Sequence, residues 1–239
     1  MKYFVLSDPH GCKDIMVNEL HSKGFVEGSE DMRLIICGDI FDRGTQTIEM
    51  YEYLKGLDDQ LVFVRGNYED GLEECYMQFR ENGEVEWYHQ HNGTVKTMMV
   101  LLNNGLLDEV IDWINNKTID YFETEHYIFV HGFIPTISYN KFYSDWRNAT
   151  KEDWMDARWT NGMDAYFHIK KDLDKTIVCG HRCCGYGNLL YHGEITDDLG
   201  EDTIIELSDH PFIENHLIAI NSCTAYSGKV NVFSYRRLI

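Results

Sequence analysis

Ile35-Ile36-Cys37-Gly38-Asp39-Ile40-Phe41-Asp42-Arg43-Gly44 is the stretch that decides how this chain folds. An apolar run, Leu34 to Cys37, stops at a glycine; Asp39, Asp42, an arginine and a second glycine follow. Acids and an arginine at the end of a buried strand pack poorly but are suited to chemistry. In open α/β sheets, ligands sit beyond the carboxyl ends of the strands. Upstream, Tyr3 to Leu6 is a second strand-forming run, and it ends in Ser7-Asp8-Pro9-His10-Gly11. Pro9 and Gly11 force a tight loop there, which carries Asp8 and His10. Cys12 to Lys23 shows near-helical spacing of apolar residues, with Gly24 as the stop. Downstream, Thr45 to Gly56 predicts a helix with Ile48, Tyr51 and Leu54 on one face. Leu61 to Val64 predicts a third strand, ending in Arg65-Gly66-Asn67-Tyr68-Glu69-Asp70, and a helix runs on to about Arg80. Successive strand-loop-helix units imply a parallel sheet with right-handed crossovers.

Residues 81–118 break this rhythm. Thr94 to Leu102 and Leu106 to Asn115 read as two helices, either an insertion over the loop end of the sheet or ordinary packing helices. Tyr127 to Val130 is another strand and runs into His131-Gly132. Lys151 to Lys171 is helical or irregular, and Thr176 to Cys179 is a strand ending in Gly180-His181. After that, Leu189–His192, Thr203–Leu207, Leu217–Asn221 and Val230–Tyr235 suggest short strands and an antiparallel second half.

The 239 residues allow one large domain, 1–239, with a sizeable core. The net charge of −19 argues against stable nucleic-acid binding, which needs clustered Lys and Arg, and it favours divalent cations in an acid-lined cleft. The run from Tyr3 to Leu6 is too short for a leader, and no stretch is long enough to span a bilayer. The seven cysteines lack framework spacing, so reduced thiols and a cytoplasmic setting are expected, Cys183-Cys184 included.

Gathered at the strand ends are Asp8, His10, Asp39, Asp42, Arg43, Asn67, His131 and His181. Carboxylate, imidazole and amide oxygen suit divalent transition metals. The set is too large for one closed site and fits two metals sharing a carboxylate. Arg43 adds a fork for a phosphate or other oxyanion. Any one of these residues alone is more often a turn former, a core histidine or a surface ion pair; the argument lies in their recurrence after apolar runs.

In order, Ser7-Asp8-Pro9-His10-Gly11, Gly38-Asp39-Ile40-Phe41-Asp42-Arg43-Gly44, Gly66-Asn67-Tyr68-Glu69, His131-Gly132 and Gly180-His181 resemble the phosphoprotein phosphatase family of calcineurin-like metallophosphoesterases. That family includes serine/threonine phosphatases and symmetrical diadenosine-tetraphosphate hydrolases, and the compact chain resembles its bacterial and phage members. The resemblance runs from residue 3 to about 235. It implies an α/β fold, a β-sandwich flanked by helices with the metal site at its top, to which the break in sequence rhythm adds a helical insertion around 81–118. It implies two divalent ions, Mn²⁺ first, with Fe, Zn or Ni as alternatives. Asp8 and His10 would bind the first ion, Asp39 would bridge, and Asn67, His131 and His181 would bind the second. Arg43 would hold phosphate, and Arg158 is the first choice for a second arginine, ahead of Arg147 and Arg182.

The sequence departs from the family pattern at Tyr68, where the family has histidine. In the family that histidine, held by the aspartate matching Asp42, protonates the leaving group. A phenol is a much weaker acid, with an ordinary pKa of about 10 against about 6.5 for imidazole. Asp42 then either orients Tyr68 or only holds its loop. The implied activity is in-line hydrolysis by a dimetal-bound hydroxide on a phosphorylated protein or nucleotide. The first reading is a serine/threonine-type phosphatase slowed on alkyl esters; the alternatives are a dinucleoside-polyphosphate hydrolase and a non-catalytic metal-binding module. An RNA-end-processing phosphatase ranks lower, for lack of a basic tract. Tyr186 and the Trp154/Trp159 pair either line a base or peptide pocket or pack in the core. His89 and His91 have no motif support as ligands.

Overall fold

The computed structural model describes residues 1–138, 141–142, 145–169, 173–193 and 210–236. The chain begins β1 (Lys2–Leu6), α1 (Lys13–Ser22), β2 (Met32–Cys37), α2 (Thr47–Gly56), β3 (Leu61–Val64), α3 (Asn67–Asn82). It continues α4 (Trp87–His91), α5 (Thr94–Asn103), α6 (Leu107–Lys117), β4 (Thr118–Ile119), β5 (Phe122–Glu123), β6 (Tyr127–Phe129), with β7 (Thr136–Ser138) and β8 (Lys141–Phe142) as a small hairpin. Then come α7 (Lys151–Arg158), α8 (Gly162–Ile169), β9 (Thr176–Cys179), α9 (Cys184–His192), β10 (Phe212–Glu214), β11 (Leu217–Ala219), α10 (Thr224–Ser227) and β12 (Phe233–Arg236).

Two sheets stack face to face. The first has the order β12-β1-β2-β3-β4, parallel except for β12. The second has the order β10-β11-β9-β6-β5, with β11, β9 and β6 parallel and both edges antiparallel. Alternation along each strand explains the layers. Tyr3, Val5, Ile35, Cys37 and Val64 meet Phe129, Val178 and Ile220 between the sheets. Their neighbours Phe4, Leu6, Leu34, Ile36 and Phe63 pack outward against helices. Both faces are buried, so the strands read as unbroken apolar runs. On the second sheet's outer face, Ile128, Val130, Ile177, Cys179 and Leu217 pack with Trp154, Met163 and Cys184.

The segment 81–118 is helical, and α5 and α6 bury Met98, Leu101, Val110 and Ile114 in the same core as α2 and α3. Three expectations are corrected. Leu189–His192 lies in α9, because an apolar run this short does not distinguish strand from helix by period. The second half is not antiparallel throughout: helices join β6 to β9, which permits parallel pairing, and β12 pairs in the first sheet. Cys183 and Cys223 form a disulfide, Cα to Cα 5.4 Å, while Cys12, Cys37, Cys75, Cys179 and Cys184 are free. Folding closes their 40-residue separation, which spacing alone does not show. The run Thr203–Leu207 lies outside the described residues. Among the described residues, no helix is long and apolar enough to cross a membrane.

Candidate metal centre

The loops after β1, β2, β6 and β9 meet at one rim. Asp8 N–H donates to the Gly38 carbonyl at 3.1 Å, His10 N–H to the Asp39 carbonyl at 3.1 Å, and Gly180 N–H to the His131 carbonyl at 2.7 Å. The turns that achieve this are strained. Asp8, His10, Asp39, Asp42, Arg43 and His181 all have positive φ, and only Asp58 and Cys223 join them among described non-glycine residues. Such conformations cost on the order of 1–3 kcal/mol each and persist only when the surroundings impose them. Gly38 is required for a different reason. At its φ of +80°, an added Cβ would lie 2.5 Å from His131 Nδ1 and 2.6 Å from Gly66 Cα.

Glu69 is the fastener that the sequence did not reveal. Its buried carboxylate accepts backbone N–H bonds from Asp39 (2.9 Å), Ile40 (2.9 Å) and Gly66 (2.7 Å). This ties the loop after β2 to the start of α3. Its position three residues after Gly66 is a capping-box signal.

Asp8, His10, Asp39, Asn67, His131 and His181 are brought together. Two overlapping groups could each hold a metal ion, Asp8/His10/Asp39 and Asp39/His131/His181, with donor atoms within 4.8 Å of one another in each. Asp39 belongs to both. His10 Nδ1 donates to the Phe41 carbonyl (2.9 Å) and His131 Nδ1 to the Cys37 carbonyl (2.8 Å), leaving each Nε2 facing inward. His131 Nε2 and His181 Nδ1 converge on Asn67 Oδ1 at 2.7 and 2.9 Å. Asp8 Oδ1 is buried without a hydrogen-bond partner.

The electrostatics also suit cations. Burial pushes Asp8 up to about 7, opposed by His131 and reinforced by Asp39. Burial works to lower His131, yet the Asp39 and Asp8 carboxylates hold it at about 10. His10 and His181 go the other way, to about 4 and about 3, mainly through burial. Buried carboxylates this close need positive charge, and His131 supplies part of it from within. The donor set and the orphaned Asp8 oxygen therefore fit two divalent ions.

The remaining predicted residues divide. Arg43 is exposed beside the centre, its guanidinium carbon 5.2 Å from the Tyr68 ring and 5.6 Å from the Tyr226 ring. Tyr68 accepts a bond from Arg43 Nη2 and meets the His10 ring edge-on at 5.1 Å. Asp42 does not reach Tyr68. Its carboxylate accepts from the hydroxyls of Thr94 (3.0 Å) and Thr97, at the start of α5. Arg158 is buried and ion-paired with Asp70 (2.7 Å) and Asp120, and Asp70 also binds Arg65 at 2.6 Å. Arg147 forks onto Glu123 at 2.8 and 2.6 Å. Arg182 is exposed next to His181 and makes no ion pair among the described residues. Trp154 is core, whereas Trp159 is half exposed, against His181. Tyr186 lies on α9, its hydroxyl 3.4 Å from Asp164.

The family model for calcineurin-like phosphoesterases matches residues 1–207. This chain belongs to that family. Calcineurin-like phosphoesterases are dimetal-dependent, and the ligands described above are this member's candidates. The symmetrical bis(5'-nucleosyl)-tetraphosphatase of Citrobacter koseri is 26% identical over 119 residues, 50% of this chain and 38% of that protein. The Escherichia coli K12 protein of the same name is 24% identical over the same shares. The chain thus spans 38% of the length of the curated relatives it matches. Among solved structures, the cold-active protein-tyrosine phosphatase of a Shewanella species has a TM-score of 0.56 at 16% identity, covering 98% of this chain and 74% of that one. A candidate diadenosine tetraphosphatase has a TM-score of 0.53 at 16% identity, covering 98% and 89%. Both share the fold.

Proposed function

We propose that this calcineurin-like chain is a dimetal phosphoesterase acting on phosphomonoesters or phosphoanhydrides. The supporting observation is the sharing of Asp39 between two ligand groups, with Arg43 exposed beside them. Bound there, two divalent ions would acidify a water and neutralise phosphate charge. Asp8 and His10 would hold one ion and Asn67, His131 and His181 the other. Arg43, placed between Tyr68 and Tyr226, would orient the phosphate oxygens.

Tyr68 orders the substrates. Burial raises its phenol above the ordinary value, and Arg43 offsets this only in part. It stays protonated and is a poor acid. A serine or threonine alkoxide needs a proton on leaving, so a serine/threonine-type phosphatase activity would be slow. A nitrophenolate or a phosphate leaves without one. Aryl phosphates and phosphoanhydrides are therefore the preferred classes, and the names of the curated relatives favour dinucleoside polyphosphates among them.

The test is a panel with Mn²⁺: phosphoserine peptide, p-nitrophenyl phosphate, diadenosine tetraphosphate and a 2′,3′-cyclic nucleotide. General acid catalysis contributes about 10²–10⁴-fold, so the peptide should trail the aryl phosphate by about that margin. Metal-loaded protein inert toward p-nitrophenyl phosphate would establish the non-catalytic binding module instead.

A further inference from the structure

Of the histidines that face the candidate metal centre, His181 is held differently from the others. His10 and His131 are each fixed through Nδ1 by a backbone carbonyl. His181 turns its Nδ1 inward to Asn67 at 2.9 Å, and among the described residues its ring makes no bond to a backbone carbonyl. Its orientation therefore depends on its main chain, which is left-handed at φ +62°. Asp8 Oδ2 accepts the His181 N–H at 3.0 Å, and the buried Asn221 donates from Nδ2 to the His181 carbonyl at 3.0 Å.

Asn221 belongs to the loop after β11, which carries none of the candidate ligands. That loop is nonetheless fastened to the His181 loop. Ile220 N–H donates to the Cys179 carbonyl at 2.9 Å, and Cys184 N–H to the Asn221 carbonyl at 2.8 Å. Asn221 Oδ1 accepts from Cys223 N–H at 2.7 Å, and the Cys183–Cys223 disulfide joins the two loops covalently. Cys223 sits at φ +56°, a left-handed conformation that glycine takes without strain.

We propose that Asn221 and the Cys183–Cys223 disulfide form a two-part clamp that positions His181 for the second metal ion, so that reducing the disulfide weakens that ion's binding and spares the first. The clamp rests on the dimetal reading and adds a redox control to it. Asn221 holds the His181 carbonyl, and the disulfide holds Asn221's loop against the segment that follows His181. A dithiol would open it by exchange: the disulfide takes two electrons and two protons to become two thiols, and the dithiol closes to its own cyclic disulfide. Cys183 is part exposed and Cys223 buried, so the Cys183 sulfur is the point of attack. The first ion's candidate ligands, Asp8, His10 and Asp39, lie on the loops after β1 and β2, which the disulfide does not join.

The experiment titrates Mn²⁺ calorimetrically into the full chain, first as oxidised protein and then after dithiothreitol and anaerobic desalting. A thiol titration in denaturant checks that the two disulfide sulfurs have become thiols. Reduction should weaken the second ion about 10- to 100-fold, the usual cost of losing a partner that orients a metal ligand, and leave the first within about threefold. Cys223→Gly accepts the left-handed backbone and should bind like the reduced parent, with no further response to dithiothreitol. Asn221→Leu should weaken the second ion by a similar factor while the disulfide is intact. Oxidised and reduced parent with the same two affinities would overturn the clamp, whether or not the variants fold. Equal weakening of both ions would also overturn it, since that is the loosening of a merely structural link. Fewer than two ions in the oxidised parent would overturn the dimetal reading, and the clamp with it.

Discussion

Arg43 donates a 2.8 Å hydrogen bond from Nη2 to the Tyr68 hydroxyl. Arg43, proposed to hold phosphate, and Tyr68 are thus one unit, and Asp42 lies outside it, on Thr94 and Thr97. We expect Tyr68→His to raise turnover on a phosphoserine peptide about 10- to 100-fold relative to p-nitrophenyl phosphate, within the range of general acid catalysis. The gain should grow when Thr97→Val is added, since Asp42 is then freer to orient the imidazole. An unchanged ratio of the two rates would remove the leaving-group argument.

Glu69 sets a second expectation. Its carboxylate gathers three backbone N–H groups, from Asp39, Ile40 and Gly66. In Glu69→Gln the amide nitrogen cannot accept, and at least one buried N–H is orphaned, at about 1–3 kcal/mol. The melting temperature should fall by several degrees, and Mn²⁺ affinity with it, because Asp39 loses its tether. A variant that melts and binds Mn²⁺ like the parent would show the loop to be held otherwise.

The legibility of this protein in its sequence follows from which features are local. β1, β2 and β3 could be read because burial on both faces makes them unbroken apolar runs, and glycines and acids mark where they stop. The loops that carry the candidate ligands could be placed because they follow those runs directly. Three features could not be read for the same reason: each is a long-range meeting. Thr94 and Thr97 carry no mark of their contact with Asp42. Nothing near Arg158 foretells that Asp70 and Asp120 take its guanidinium. The positive φ angles of Asp8, His10, Asp42 and His181 belong to residue types that any turn accepts, and only the fold collects them at one rim.

Arg158 and Arg43 should therefore separate by experiment. Breaking a buried ion pair from one side costs about 3–5 kcal/mol; Arg158→Met does this at buried Asp70, which keeps Arg65, while the part-exposed Asp120 turns to water. We expect a large drop in melting temperature and a KM for p-nitrophenyl phosphate within about threefold of the parent. Arg43→Met should do the opposite: near-parental melting and a KM raised about tenfold or more, the weight of a lost charge-assisted contact. A KM loss at Arg158 matching that at Arg43, in a protein that still melts normally, would restore Arg158 as a phosphate clamp.

The shared carboxylate gives a stoichiometric prediction. Asp39 belongs to both ligand groups, whereas His10 belongs to one. Calorimetric titration with Mn²⁺ should give two ions for the parent, one for His10→Asn, and weak or no binding for Asp39→Asn. Because ligands that bind only the folded state stabilise it by mass action, Mn²⁺ should raise the melting temperature of the first two and not of the third. Two full-affinity ions in Asp39→Asn would contradict a bridging role.

Asp42 supplies the pH dependence. Burial pushes its carboxyl up to about 7, and the Thr97 and Thr94 hydroxyls oppose the rise without cancelling it. An unfolded aspartate titrates near 4. Between about pH 4 and 7 the folded protein therefore keeps a proton that the unfolded chain has released. By linkage, the contribution of this group to stability is full below pH 4, declines as pH rises, and is flat above the folded value. Asp42→Asn stays neutral throughout and escapes the decline. Measured in EDTA, parent and variant should melt together near pH 4.5 and part as pH rises, with Asp42→Asn more stable at pH 8 by on the order of 2–4 kcal/mol. Taking the difference between the two proteins cancels every other titrating group. A difference that does not change with pH would mean that Asp42 is ionised in the fold, with its charge met by Thr94, Thr97 and the start of α5.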